Sequence, residues 1–159
     1  FNLAIDSKLR ASDLLKVRVA DVSSSGKVQS RAMITQQKTN RAVRFEITER
    51  TRQSIERWIV AGALASTEYL FPSRLRASPH LSLRQYARLL DSWVTEIGLD
   101  PTAYGTHSMR RTKATLIYRR TKNLRAVQLL LGHSKLDSTV RYLGIEIDDA
   151  LELSEQTDV

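Results

Sequence analysis

The chain has 159 residues, 42% of them apolar, enough for one domain with a real core and too few for two large ones. Lys and Arg number 25 against 17 Asp and Glu, a formal charge of +8 that favours a polyanionic partner such as double-stranded DNA. The absence of Cys excludes disulfides, thiolate metal sites and a cysteine nucleophile, and no apolar run approaches the roughly 20 residues of a membrane-spanning helix.

The start, FNLAIDSKLR, has neither Met nor the layout of a signal peptide. A cytoplasmic protein with no membrane partner is expected, of which this chain is one piece. A first helix is predicted over residues 11–19, with Leu14, Leu15 and Val19 near one face and Ser12 or Asp13 as its cap. Beyond the turn at Ser23 to Gly26, two alternating runs, 30–36 and 41–47, predict a β-hairpin whose tip carries Lys38. Thr48 then caps a helix with Ile55, Trp58 and Ile59 at helical spacing, ended by Gly62. Tyr69, Leu70 and Phe71 form a short apolar run stopped by Pro72.

Residues 82–97 give the clearest helix, with Leu83, Tyr86, Leu89, Leu90, Trp93, Val94 and Ile97 recurring at three and four before Gly98. Three more helices are predicted, over 107–120, over 124–131 between Asn123 and Gly132, and over 148–155. There is no internal repeat and no interdomain linker. The expected fold class is α+β, mainly α-helical: one helical domain over 1–159 carrying a small antiparallel sheet.

Chemistry concentrates late in the chain. His107 and Arg110 share a helix face at i and i+3, where an imidazole and a guanidinium can address one phosphate together. His133 follows the helix stop at Gly132, and nine residues on stands Tyr142, whose phenol is a nucleophile only if cations or a base lower the cost of ionising it from about 10. Taken singly, each has a plainer reading: a surface Arg beside a helix-starting His, and a Tyr packed by its ring with its hydroxyl at the surface. Two His without a spaced carboxylate fall short of a zinc set, and neither GxxxxGK[ST] nor GxSxG occurs. No metal and no cofactor is expected. Glu146, Asp148, Asp149, Glu152 and Glu155 read as the solvated face of a last helix.

Together these residues resemble the tyrosine recombinases, the phage-type integrases. Arg10-Ala11-Ser12-Asp13-Leu14-Leu15 is similar to the family's first box, His107-Ser108-Met109-Arg110 to its HxxR, and Leu131-Gly132-His133 with Tyr142 to its LGH and tyrosine. Lys38 in Gln37-Lys38-Thr39 resembles the hairpin lysine, with Lys27 and Arg41 near enough to compete, and Tyr69 to Ser73 resembles a family segment. The chain departs from the pattern in reading DSKL before Arg10 and Arg111 after Arg110.

The resemblance implies the C-terminal catalytic domain of such an enzyme, its N-terminal core-binding domain lying outside the window. Tyr142 would attack a scissile phosphate to form a 3'-phosphotyrosyl bond, without metal or nucleotide, and a 5'-hydroxyl would later rejoin the strand. Arg10 and Arg110 would clamp the nonbridging oxygens, Lys38 would protonate the leaving oxygen, His107 would accept or share the Tyr142 proton, and His133 would hydrogen-bond the phosphate. Subunits would assemble as a tetramer on DNA through the C-terminal segment. The alternatives are a type IB topoisomerase, a noncatalytic DNA-binding module and a metal-dependent nuclease.

Overall fold

The structure, a computed structural model, describes residues 1–74, 78–146, 151, 154 and 155. A short helix α1 (Asn2–Ser7) ends at Lys8, which is left-handed at φ 54° and turns the chain so that Leu9 is buried and Arg10 caps α2 (Ala11–Leu14). The helix predicted over 11–19 is thus two pieces, α2 and α3 (Val19–Val22). Arg18 between them is extended because the backbone there pairs with another segment, Leu70 N–H donating to Val17 O and Val19 N–H to Glu68 O. Asp13 does not cap. Its Oδ1 instead accepts from Gln37 N–H at 3.0 Å, tying α2 to the hairpin.

Two small antiparallel sheets follow where one was expected. The first pairs β1 (Ser23–Ser24) with β2 (Lys27–Val28) around the Ser25-Gly26 turn. The second pairs β3 (Arg31–Gln36) with β4 (Arg41–Glu46) in a register running from Arg31 opposite Glu46 to Gln36 opposite Arg41. Val43 and Phe45 point inward and Arg44 outward, the alternation that one buried face demands. Helix α4 (Glu49–Ala61) starts after Thr48, whose hydroxyl is drawn to Asp6 Oδ2 at 2.7 Å in place of the helix end. Helix α5 (Leu83–Glu96) has a true cap, Ser82 accepting from Gln85 N–H.

After a 3-10 turn at Pro101–Ala103 come α6 (Thr106–Thr121), α7 (Leu124–Leu131) and α8 (Leu136–Leu143). Helix α7 has the boundaries its Asn123 cap and left-handed Gly132 predict. The helix expected over 148–155 lies outside the described residues except at 151, 154 and 155. No helix among the described residues is long and apolar enough to cross a membrane.

The main core joins α1 to α5 and the sheets through Leu3, Leu14, Val22, Phe45, Ile55, Leu70 and Leu90. A second, smaller cluster of Ala114, Val127 and Leu131 joins α6, α7 and α8, with Tyr142 and Leu143 packed on it. Between the two lies an ion-pair chain. Fully buried Lys8 reaches Glu46 Oε1 at 2.8 Å, and Lys113 reaches both Glu46 and Asp6. Burial pushes the Lys8 ammonium down, while hydrogen bonds from Lys113 and the Thr48 and Thr51 hydroxyls outweigh burial at Asp6 and hold it at about 2.

Lys8 therefore combines backbone strain with a compensating ion pair. Lys8→Gly relieves the left-handed strain that Lys8→Ala keeps, and both lose the pair. Lys8→Gly is expected to be the more stable of the two by about 1 kcal/mol in urea unfolding.

Candidate active site

Arg10, Arg110, His133 and Tyr142, more than a hundred residues apart in sequence at the extremes, meet where the two clusters abut. Arg10 Nη1 donates to Gln36 Oε1 at 2.7 Å. Gln36, the last residue of β3 and fully buried, donates from Nε2 to the carbonyl of Leu131 at 3.3 Å. Arg110, 2% exposed on α6, donates from Nη2 to the same carbonyl at 2.7 Å. Gly132 follows at φ 66°, and a Cβ there would lie 2.6 Å from Val43 Cγ2, so only glycine fits against the hairpin.

His133 and Tyr142 face each other edge to face, ring centroids 5.3 Å apart. His133 Nδ1 lies 3.1 Å from Thr139 Oγ1, a fully buried hydroxyl with no other partner among the described residues. Donation from that hydroxyl to Nδ1 satisfies both groups and leaves Nε2 with its hydrogen, a donor toward a ligand. Burial, then the charges of Arg110 and Arg10, push the imidazole down to about 4 from its ordinary 6.5, so His133 is neutral at physiological pH. Between those two values the unfolded chain binds the extra proton. The His133 contribution to stability is complete above about pH 6.5 and is lost as pH falls toward 4. Wild type is accordingly expected to lose more of its melting temperature between pH 7 and pH 4.5 than His133→Asn does, a comparison that thermal denaturation makes directly.

The guanidinium carbons of Arg110 and Arg111 lie 5.8 and 5.7 Å from the Tyr142 ring centroid. The Tyr142 hydroxyl is buried with no hydrogen-bond partner of good geometry, and so is Arg110 Nη1. Burial raises the phenol above its ordinary value, opposed by Arg110, Arg111 and Arg10. Burial likewise lowers Arg110 from the usual guanidinium range. A buried hydroxyl and a buried guanidinium nitrogen that reach only each other, and without good alignment, are costly for mere packing. They suit a place that an anion completes.

Lys38 is exposed at the hairpin tip, between two anchored neighbours: Gln37 N–H on Asp13, and Thr39 Oγ1 donating to Gln36 Oε1 at 3.1 Å. Its rivals stand elsewhere, Lys27 in the separate β1–β2 sheet and Arg41 within the ladder opposite Gln36. His107 is exposed in the first turn of α6, and no hydrogen bond or ring contact joins it to Tyr142. Asp13, read in the sequence as a helix cap, instead holds Gln37. Gln36 and Thr139 are site neighbours that local pattern did not mark out. Their only sequence signal is polarity at positions where a strand or helix turns inward.

Residues 1–146 match the sequence model of the phage integrase family. A probable integrase/recombinase of Bacillus subtilis (strain 168), YoeC, is 33% identical over 148 residues, which are 93% of this chain and 77% of that one. The crystal structure of XerA recombinase superposes with a TM-score of 0.75 at 18% identity, covering 98% of this chain and 55% of the other. XerH site-specific recombinase bound to its difH substrate, in a pre-cleavage complex, gives 0.73 at 18% identity over 96% of this chain and 44% of the other. The chain thus spans about half the length of these solved proteins, and at such identity they bear on the fold alone. The chain belongs to the phage integrase family, the tyrosine recombinases.

Proposed function

We propose that this chain is the catalytic domain of a site-specific DNA recombinase or integrase that cleaves and rejoins double-stranded DNA through a 3'-phosphotyrosyl bond on Tyr142. The observation that carries the reading is the buried Tyr142 hydroxyl, without a well-aligned hydrogen bond, among Arg10, Arg110, Arg111 and His133. Relatives named integrase or recombinase support the substrate class.

Tyr142 Oη forms a bond to phosphorus as the bond to the 5'-oxygen breaks. Its proton passes to His107, which the phosphate must bring into relay with Tyr142, and Lys38 supplies the proton that the 5'-oxygen takes up. Arg10 and Arg110 hold the nonbridging oxygens through the extra charge of the pentacoordinate state, and His133 adds a neutral N–H donor. Attack of a 5'-hydroxyl on the phosphotyrosine reverses the step, so bond energy is conserved and no nucleotide is consumed. Exchange between two duplexes uses four such centres, hence a tetramer on DNA joined by the C-terminal segments, acting in the cytoplasm. The +8 charge provides the attraction to the phosphate backbone.

The test is covalent trapping of the full-length protein on nicked duplex, followed on denaturing gels. Adduct is expected with wild type, with chelator present, and is expected to fall at least a thousandfold in Tyr142→Phe, since nothing else in the centre replaces the nucleophile. Cleavage that survives Tyr142→Phe and dies in chelator would make the protein a metal-dependent nuclease. Binding without cleavage would leave a noncatalytic module. Relaxed circles without recombinant products would favour the topoisomerase reaction.

A further inference from the structure

We propose that Gln36 is the positioning residue of this centre, holding Arg10 and the turn that carries Lys38 in register with the Leu131 carbonyl and hence with Arg110. The inference rests on the strand-transfer reading above and deepens it.

A buried side-chain amide must satisfy both its ends. Gln36 does so entirely with pieces of the centre: Oε1 accepts from Arg10 Nη1 at 2.7 Å and from Thr39 Oγ1 at 3.1 Å, and Nε2 donates to Leu131 O at 3.3 Å. These partners belong to three separate segments, the start of α2, the β3–β4 turn and the end of α7. Arg110 shares the Leu131 carbonyl, so one amide and one carbonyl connect both candidate clamps.

Gln36 makes the only side-chain hydrogen bond to Arg10 among the described residues, and the guanidinium is only partly buried. Without that bond, the long side chain regains the rotamer freedom that a fixed clamp must give up. The chemistry of an amide suits the role. As a neutral acceptor it fixes one guanidinium nitrogen and leaves the positive charge for phosphate, whereas a carboxylate in its place would compete for that charge. Close packing adds rigidity, because a Cβ on Gly132 would lie 3.0 Å from Gln36 Oε1.

The experiment is single-turnover cleavage by the full-length protein on a nicked duplex drawn from the DNA flanking its own gene, with DNA affinity measured separately. Gln36→Met, which keeps length and loses both polar ends, is expected to bind within about threefold of wild type and to cleave about thirtyfold more slowly. Arg10→Ala is expected to cleave at least about a hundredfold more slowly, and the double variant to match Arg10→Ala within about threefold, because residues acting through one another are not additive. A merely structural Gln36 would add its full loss to that of Arg10→Ala. That additivity, or normal cleavage by Gln36→Met, overturns the inference.

Should Gln36→Met melt below the assay temperature, Thr39→Val provides the test from the rim of the turn. Loss of its hydroxyl is expected to slow cleavage about three- to tenfold at unchanged affinity, and an unchanged rate overturns the inference. Normal cleavage by Arg10→Ala, or a wild type that forms no adduct, would instead sink the strand-transfer reading and this inference with it.

Discussion

Arg110→Met is expected to slow strand cleavage by about two to three orders of magnitude, the cost of losing one preformed donor to a transition-state oxyanion. The same change is expected to leave folding stability within about 1 kcal/mol of wild type, a shift in melting temperature of roughly 2–4 °C. The two expectations part because Arg110 is poorly served by the unliganded fold. It is 2% exposed, burial lowers its affinity for its proton, Nη1 has no well-aligned partner, and the one acceptor it reaches with good geometry is the neutral Leu131 carbonyl, which Gln36 also serves. A thioether of similar length removes a buried charge and keeps the packing. Single-turnover cleavage and a thermal melt on the same preparation check both; a variant that loses activity only by unfolding would show that Arg110 is structural.

Gly132→Ala has the opposite signature, a large loss of stability that takes activity with it. The left-handed backbone at φ 66° disfavours any Cβ by about 1–2 kcal/mol. The new methyl would also lie 2.6 Å from Val43 Cγ2, so the hairpin must move, at a further cost of about 1–3 kcal/mol. A total near 3 kcal/mol corresponds to roughly 6–12 °C in melting temperature for a domain of this size. His133, the next residue, moves with the displaced turn, so cleavage is expected to fall even well below the melting point. A melting temperature within a degree or two of wild type would mean that α7 and the hairpin are not packed as described.

The α-helical bulk of this fold was legible in residues that act locally. Asn123 and Gly132 bracket α7, Ser82 opens α5, and alternating Val43 and Phe45 mark a strand, because caps, stops and period-two burial depend on near neighbours. Tertiary partners decided the remainder. The helix expected over 11–19 breaks at Arg18 since residues 17–19 pair with 68–70, and α8 escaped notice because Ser138, Thr139 and Val140 are weak helix formers that α6 and α7 hold in place. Asp13 and Thr48 look like caps but spend their oxygens on Gln37 and Asp6, far along the chain. Of the site, the reactive residue types and their order could be read directly. The wiring through Gln36, the Leu131 carbonyl and Thr139 could not, since each of those bonds joins segments that only the folded chain brings together.

The most direct test of the central claim is to map the covalent bond itself. Full-length protein trapped on nicked duplex, digested with protease and nuclease, is examined by mass spectrometry for a peptide carrying a 3'-linked nucleotide. The nucleotide is expected on Tyr142 and nowhere else, with EDTA throughout. A nucleotide on Tyr104, Tyr118 or any Ser, or cleaved DNA with no linked peptide at all, would contradict the assignment of Tyr142 as the nucleophile.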